Sequence, residues 1–66
     1  MDEIDIWRTA KLLIDQRGKS AAHDALARAG DMKAAGDEEG SAVWLRIFDA
    51  IEELQREIRN KSEPVH

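Results

Sequence analysis

The chain has no cysteine and no tyrosine, a single proline, and three aromatic residues, Trp7, Trp44 and Phe48, among its 66. Without cysteine there are no disulfides and no thiolate chemistry, which is compatible with a reducing compartment. No apolar run approaches the roughly eighteen residues that a membrane span needs. The opening Met1-Asp2-Glu3-Ile4-Asp5 is acidic where a secretory signal would be basic, so the expected location is cytoplasmic. An excess of positive charge is missing too. The net charge is -4, with six acids and six bases in residues 1–36 against eight and four in residues 37–66. Such a balance argues against nonspecific binding to nucleic acid or anionic lipid.

What is present is a helical pattern. Trp44, Ile47, Ile51, Leu54 and Ile58 recur at spacings of three and four, the seam of a packed helix running from Asp37 to around Arg59. At about 100° per residue, Val43, Trp44, Ile47, Phe48, Ala50, Ile51, Leu54 and Ile58 fall in one arc of roughly 160°, with Arg46, Asp49, Glu53 and Arg56 opposite. That arc is too wide for a two-stranded coiled coil and suits a helix touching two neighbours. Asp37 reads as its N-cap, Glu38 and Glu39 as first-turn acids facing the positive end of the helix dipole, and Gly36 as the left-handed close of the preceding helix.

A first helix is expected from Asp2 or Glu3 to about Arg17, with Ile6, Trp7, Ala10, Leu13 and Ile14 on one side and Gly18 as its stop. Ser20 then reads as the N-cap of a second helix whose inner face carries Ala21, Ala22, Ala25, Leu26, Ala29 and Met32. Gly30 inside that helix costs about 1 kcal/mol relative to alanine, and marks either a close approach or a weak point. Asn60 to His66 reads as a frayed tail. The expected fold is therefore all-α: a small three-helix bundle with short loops and the third helix longest, one domain over residues 1–60 and a flexible tail over 61–66.

Chemistry-bearing patterns fail one by one. Gly18-Lys19-Ser20 resembles the end of a phosphate-binding loop, but Leu13 stands where that motif needs glycine, inside a helix rather than after a strand. Gly36-Asp37-Glu38-Glu39-Gly40 is acidic, yet neither calcium-loop register places oxygen ligands and the turn glycine correctly, because Lys33, Ala35 and Ala42 intrude. His23 and His66 form no pair at metal-ligand spacing, so neither a metal nor another cofactor is expected. Glu52 and Glu53 diverge by about 100° on a helix and are not a catalytic pair. Helix-turn-helix DNA binding would need a basic second helix, and Lys19, Arg28 and Lys33 are offset there by Asp24 and Asp31.

The stretch Trp7-Arg8-Thr9-Ala10-Lys11-Leu12-Leu13-Ile14-Asp15 carries a family likeness that continues in Gly36-Asp37-Glu38-Glu39-Gly40, Val43-Trp44 and Ala50-Ile51-Glu52-Glu53-Leu54-Gln55. Through them the chain resembles a family of short alphaproteobacterial proteins defined as a domain of unknown function. The resemblance implies a small cytoplasmic bacterial helical protein and carries no activity, cofactor or catalytic residue. A fainter likeness to a tetratricopeptide helix pair, in the Gly36-Asp37 turn followed by Ala42 and Ala50, departs in spacing, since that repeat puts its small residues five and twelve positions after the glycine, where this chain has Ser41 and Phe48.

Ten of the apolar residues are alanine, so the large ones must pack efficiently or a second subunit must help. At 1.5 Å per residue the third helix should span about 33 Å against about 22 to 24 Å for the others, so its last turns, with Leu54 and Ile58, should project and pack on a partner. Trp7 and Trp44 read as core residues on facing helices, with Trp44 the better interface anchor of the two. The expected function is a non-catalytic protein-interaction or structural module that forms a homodimer, or binds another protein, through Val43, Trp44, Leu45, Phe48, Leu54 and Ile58, with Arg46, Asp49, Arg56 and Glu57 at the rim. The alternative is a transcription-associated accessory protein that touches nucleic acid weakly or through a partner.

Overall fold

Gly18 shapes this molecule, because it lets a helix change direction without a loop. In the computed structural model, which describes residues 2–62 and side chains as far as residue 58, helix α1 spans Glu3–Arg17, helix α2 Ala21–Ala34 and helix α3 Glu38–Ser62. Between α1 and α2 lies a single 3₁₀ turn, Gly18–Ser20. Gly18 adopts φ +56° and ψ -120°, a region open to glycine and strained for residues with a Cβ. Its N–H donates to the Ile14 carbonyl, and its own carbonyl accepts the Ala21 N–H. Residues 3–34 thus form one helical segment with two arms, and residues 38–62 form the other.

The all-α expectation holds, with no strand among the described residues, and α3 is the longest helix. The three-helix bundle does not hold: there are two helical segments. The reason is the bend itself. Both arms of the first segment pack on α3, and they touch each other little, so the mutual third interface of a bundle is missing. Ser20 also departs from its expected role, since it makes no side-chain cap and sits within the 3₁₀ turn. The turn supplies that end of α2 with a backbone partner, and a hydroxyl is not needed there.

Around Gly36 the expected punctuation is present in full. The Gly36 N–H donates to the Lys33 carbonyl at 3.0 Å and the Asp37 N–H to the Met32 carbonyl at 2.8 Å, the paired bonds of a Schellman closure, with Gly36 at φ +84°. Asp37 Oδ1 then accepts the Gly40 N–H at 2.8 Å, which caps α3. That helix continues through Ser62, past the expected end near Arg59 and into the expected tail; residues 63–66, the remainder of that tail, lie outside the described residues.

The core is small and rich in alanine. Among the described residues the buried apolar set is Ile6, Ala10, Leu13, Ala21, Ala25, Ala29, Ile47, Ala50 and Ile51, and only Ile47 and Ile51 are large and fully buried. Ala21, Ala25 and Ala29 recur every four residues, so α2 presents an alanine stripe that lets its backbone approach α3 closely. Val43, Trp44, Phe48, Leu54, Ile14 and Ala22 pack around this centre half-buried.

One cross-link pins the bend to α3. Gln55 Nε2 donates to the Gly18 carbonyl at 2.9 Å, so that oxygen accepts two hydrogen bonds, one from each helical segment. Asp24 reinforces the bend from outside, taking Arg17 at 3.4 Å across the turn and Arg28 at 3.2 Å within α2. The Arg28 guanidinium in turn lies 5.1 Å from the ring centre of Trp44 on α3.

Candidate functional site

The six residues expected to form an interface are divided by the fold. Val43, Trp44, Phe48 and Leu54 are half-buried and pack against the chain's own core. Leu45 and Ile58 alone stay exposed, at 44% and 53%. Leu54 therefore does not project bare beyond the first segment, because the bend at Gly18 and the Gln55 bond beside it hold α1 and α2 against that part of α3. Trp44 is likewise engaged, with Arg28 over its ring. Of the two tryptophans it is Trp7 that is the more available, 37% exposed on α1.

Beside Trp7 the two segments leave an open groove of about 630 Å³. Its apolar side is made by Ile6, Trp7 and Ala50, and its polar side by Glu3 of α1 and Arg46, Asp49, Glu53 and Glu57 of α3. The α1 residues are there because Ile6 is drawn into the core, which carries its neighbours Glu3 and Trp7 to the flank of α3. The α3 residues follow from a four-residue repeat: Asp49, Glu53 and Glu57 lie on consecutive turns of one face, next to the line of Arg46 and Ala50. Four carboxylates against one guanidinium make the groove acidic. Glu53 is engaged by Arg56 at 3.7 Å, whereas Glu3, Asp49 and Glu57 make no ion pair among the described residues.

That acidic stripe was legible in the sequence as i, i+4, i+8 carboxylates. Its meaning was not, since nothing in periodicity alone says that α1 runs alongside and turns a solvated face into the wall of a groove. A smaller cleft of about 220 Å³ lies at the other end of α3, where Leu45 stands with Lys33, Glu38, Ser41 and Ala42.

No family model matches the chain, and neither does any curated protein or solved structure. Among the described residues, no three His, Asp or Glu side chains stand where they could hold one metal ion. No described helix is long and apolar enough to cross a membrane. His23 is exposed on α2, and every buried side-chain polar atom that is described has a hydrogen-bond partner. Among the described residues, exposed apolar side chains such as Trp7 stand beside carboxylates that make no ion pair, Glu3, Asp49 and Glu57.

Proposed function

We propose that this protein is a non-catalytic protein-interaction module that self-associates, acting in the cytoplasm of a bacterium. The observation that carries the reading is the distribution of large apolar side chains. Among the described residues Ile4, Trp7, Leu12, Leu26, Leu45 and Ile58 stand exposed, while only Ile47 and Ile51 are large and fully buried. Fully burying a large apolar side chain is worth about 1.5–3 kcal/mol, so each of these, 37–65% exposed, forgoes roughly half of that, against a total folding stability of roughly 5–15 kcal/mol. A second chain that covers several of them contributes on the scale of the fold itself. The cytoplasmic and bacterial parts of the proposal rest on the family resemblance carried by the Trp7–Asp15 stretch.

Sedimentation equilibrium from low to high micromolar concentration tests the reading. A mass rising towards two chains is expected, and the mass of one chain throughout would overturn it. Leu45→Asp separates the surfaces: if Leu45 lies in the contact, association falls at least tenfold while helicity by circular dichroism stays unchanged. An unaltered mass removes Leu45 from the interface.

A further inference from the structure

The groove beside Trp7 has a complement on the same chain. On α1, Ile4, Arg8, Lys11 and Leu12 follow the spacing i, i+4, i+7, i+8, which places them on one stripe turned away from the buried Ile6, Ala10 and Leu13. All four are exposed, Ile4 at 65% and Leu12 at 55%. Arg8 and Lys11 make no ion pair among the described residues, and two acids border them, Asp15 one turn on from Lys11 and Asp5 beside Leu12 at the edge of the stripe. An apolar strip bearing two unpaired bases, Arg8 and Lys11, and an acidic groove with an exposed indole and two unpaired α3 carboxylates, Asp49 and Glu57, thus share α1 among the described residues.

We propose that the groove between α1 and α3 is the docking site for the α1 stripe of a second copy of this chain. Arg8 and Lys11 of one chain meet Asp49 and Glu57 of the other, and Ile4 and Leu12 cover the Trp7 ring and the apolar side of the groove. Because groove and stripe share α1, a single two-fold rotation brings each stripe to the other chain's groove, and the contact closes at two copies. The charges set register and encounter rate, and the apolar residues supply the burial. This inference rests on the self-association proposed above and names its surface, in place of Val43, Trp44, Phe48 and Leu54, which pack against the chain's own core.

The test is a charge swap read by sedimentation equilibrium. Asp49→Lys with Glu57→Lys gives one variant, and Arg8→Glu with Lys11→Glu gives the other. Each alone should weaken association at least tenfold, and mixing the two should restore a heterodimer of wild-type strength, since every groove then faces a stripe of opposite charge. Wild-type association should weaken several-fold between about 50 and 500 mM salt, where the Debye length shrinks from roughly 14 to 4 Å. If either reversal lowers helicity, the neutral pairs Asp49→Asn with Glu57→Gln and Arg8→Gln with Lys11→Gln take its place, with a smaller loss expected.

Outcomes separate cleanly. A wild-type chain that stays monomeric overturns the self-association reading and this inference together. Wild-type dimers indifferent to both variants and to salt overturn the inference alone and return the contact to Leu45, Leu26 or Ile58. Variants that each weaken association but fail to restore it when mixed also overturn it, because the two surfaces then do not face each other.

Discussion

Two glycines isolate what a backbone dihedral is worth. A Cβ built on Gly18 or on Gly30 meets nothing within 4 Å, so neither position is held by packing. Gly30 has ordinary helical geometry in α2, no neighbour approaches it closely and the helix passes through it unbroken, which leaves only the propensity cost of glycine. Gly30→Ala should therefore raise stability by about 0.5–1 kcal/mol, through lower unfolded-state entropy and better helix propensity. Gly18 sits at φ +56° and ψ -120°, and Gly18→Ala should cost about 1–3 kcal/mol. Urea melts of the two variants should shift in opposite directions. Equal shifts would mean that the bend is not fixed at Gly18. A third glycine, Gly40, is different in kind, because an added Cβ there would stand 2.5 Å from Asp37 Oδ2 and displace the capping carboxylate.

At the scale of the elements, the strength of each local signal decided what could be read in advance. The ends of α2 and α3 were legible because Gly36 and Asp37 each have one low-energy job at a helix boundary, and both do it. Asp37→Ala should cost about 1 kcal/mol and fray the first turn of α3, visible as faster amide exchange at Gly40 and Ser41. Ser20 misled because a good capping residue is redundant where a 3₁₀ turn already supplies a backbone partner. Leu26 and Trp7 misled for a tertiary reason. The alanine stripe of α2 sets its axis close to α3, which leaves a residue about 100° round from Ala25, such as Leu26, outside the contact. Nothing in the periodicity of α1 announced the Gln55 bond to Gly18 either, since residues 37 apart in sequence meet only once the bend is made. Gln55→Ala leaves that carbonyl with the Ala21 N–H alone. It should cost about 0.5–1.5 kcal/mol and loosen the bend preferentially, so exchange at Ala21 should accelerate more than at Ile47.

For the molecule as a whole, the balance between a thin core and an apolar surface makes stability and association one question. Five of the nine buried apolar residues described are alanine, so a lone chain has little reserve. If the exposed set is covered by a second copy, the melting temperature must depend on protein concentration, because a dimer that binds only folded chains stabilises them by mass action. Because the ligand is the chain itself and free monomer grows only as about the square root of the total, raising the concentration from the dissociation constant to a hundredfold above it adds about 1 kcal/mol per chain, and for a domain of this length each kcal/mol is worth about 4–8 °C. The expected rise is about 5 °C across that range. In the Asp49→Lys, Glu57→Lys variant the rise should be displaced to at least tenfold higher concentration, so that over the same range the variant stays closer to the melting temperature of the wild type at its most dilute. The two curves meeting at low concentration and parting at high concentration would show that the groove acts only between chains. A constant offset between them would instead assign Asp49 and Glu57 to the stability of the single chain.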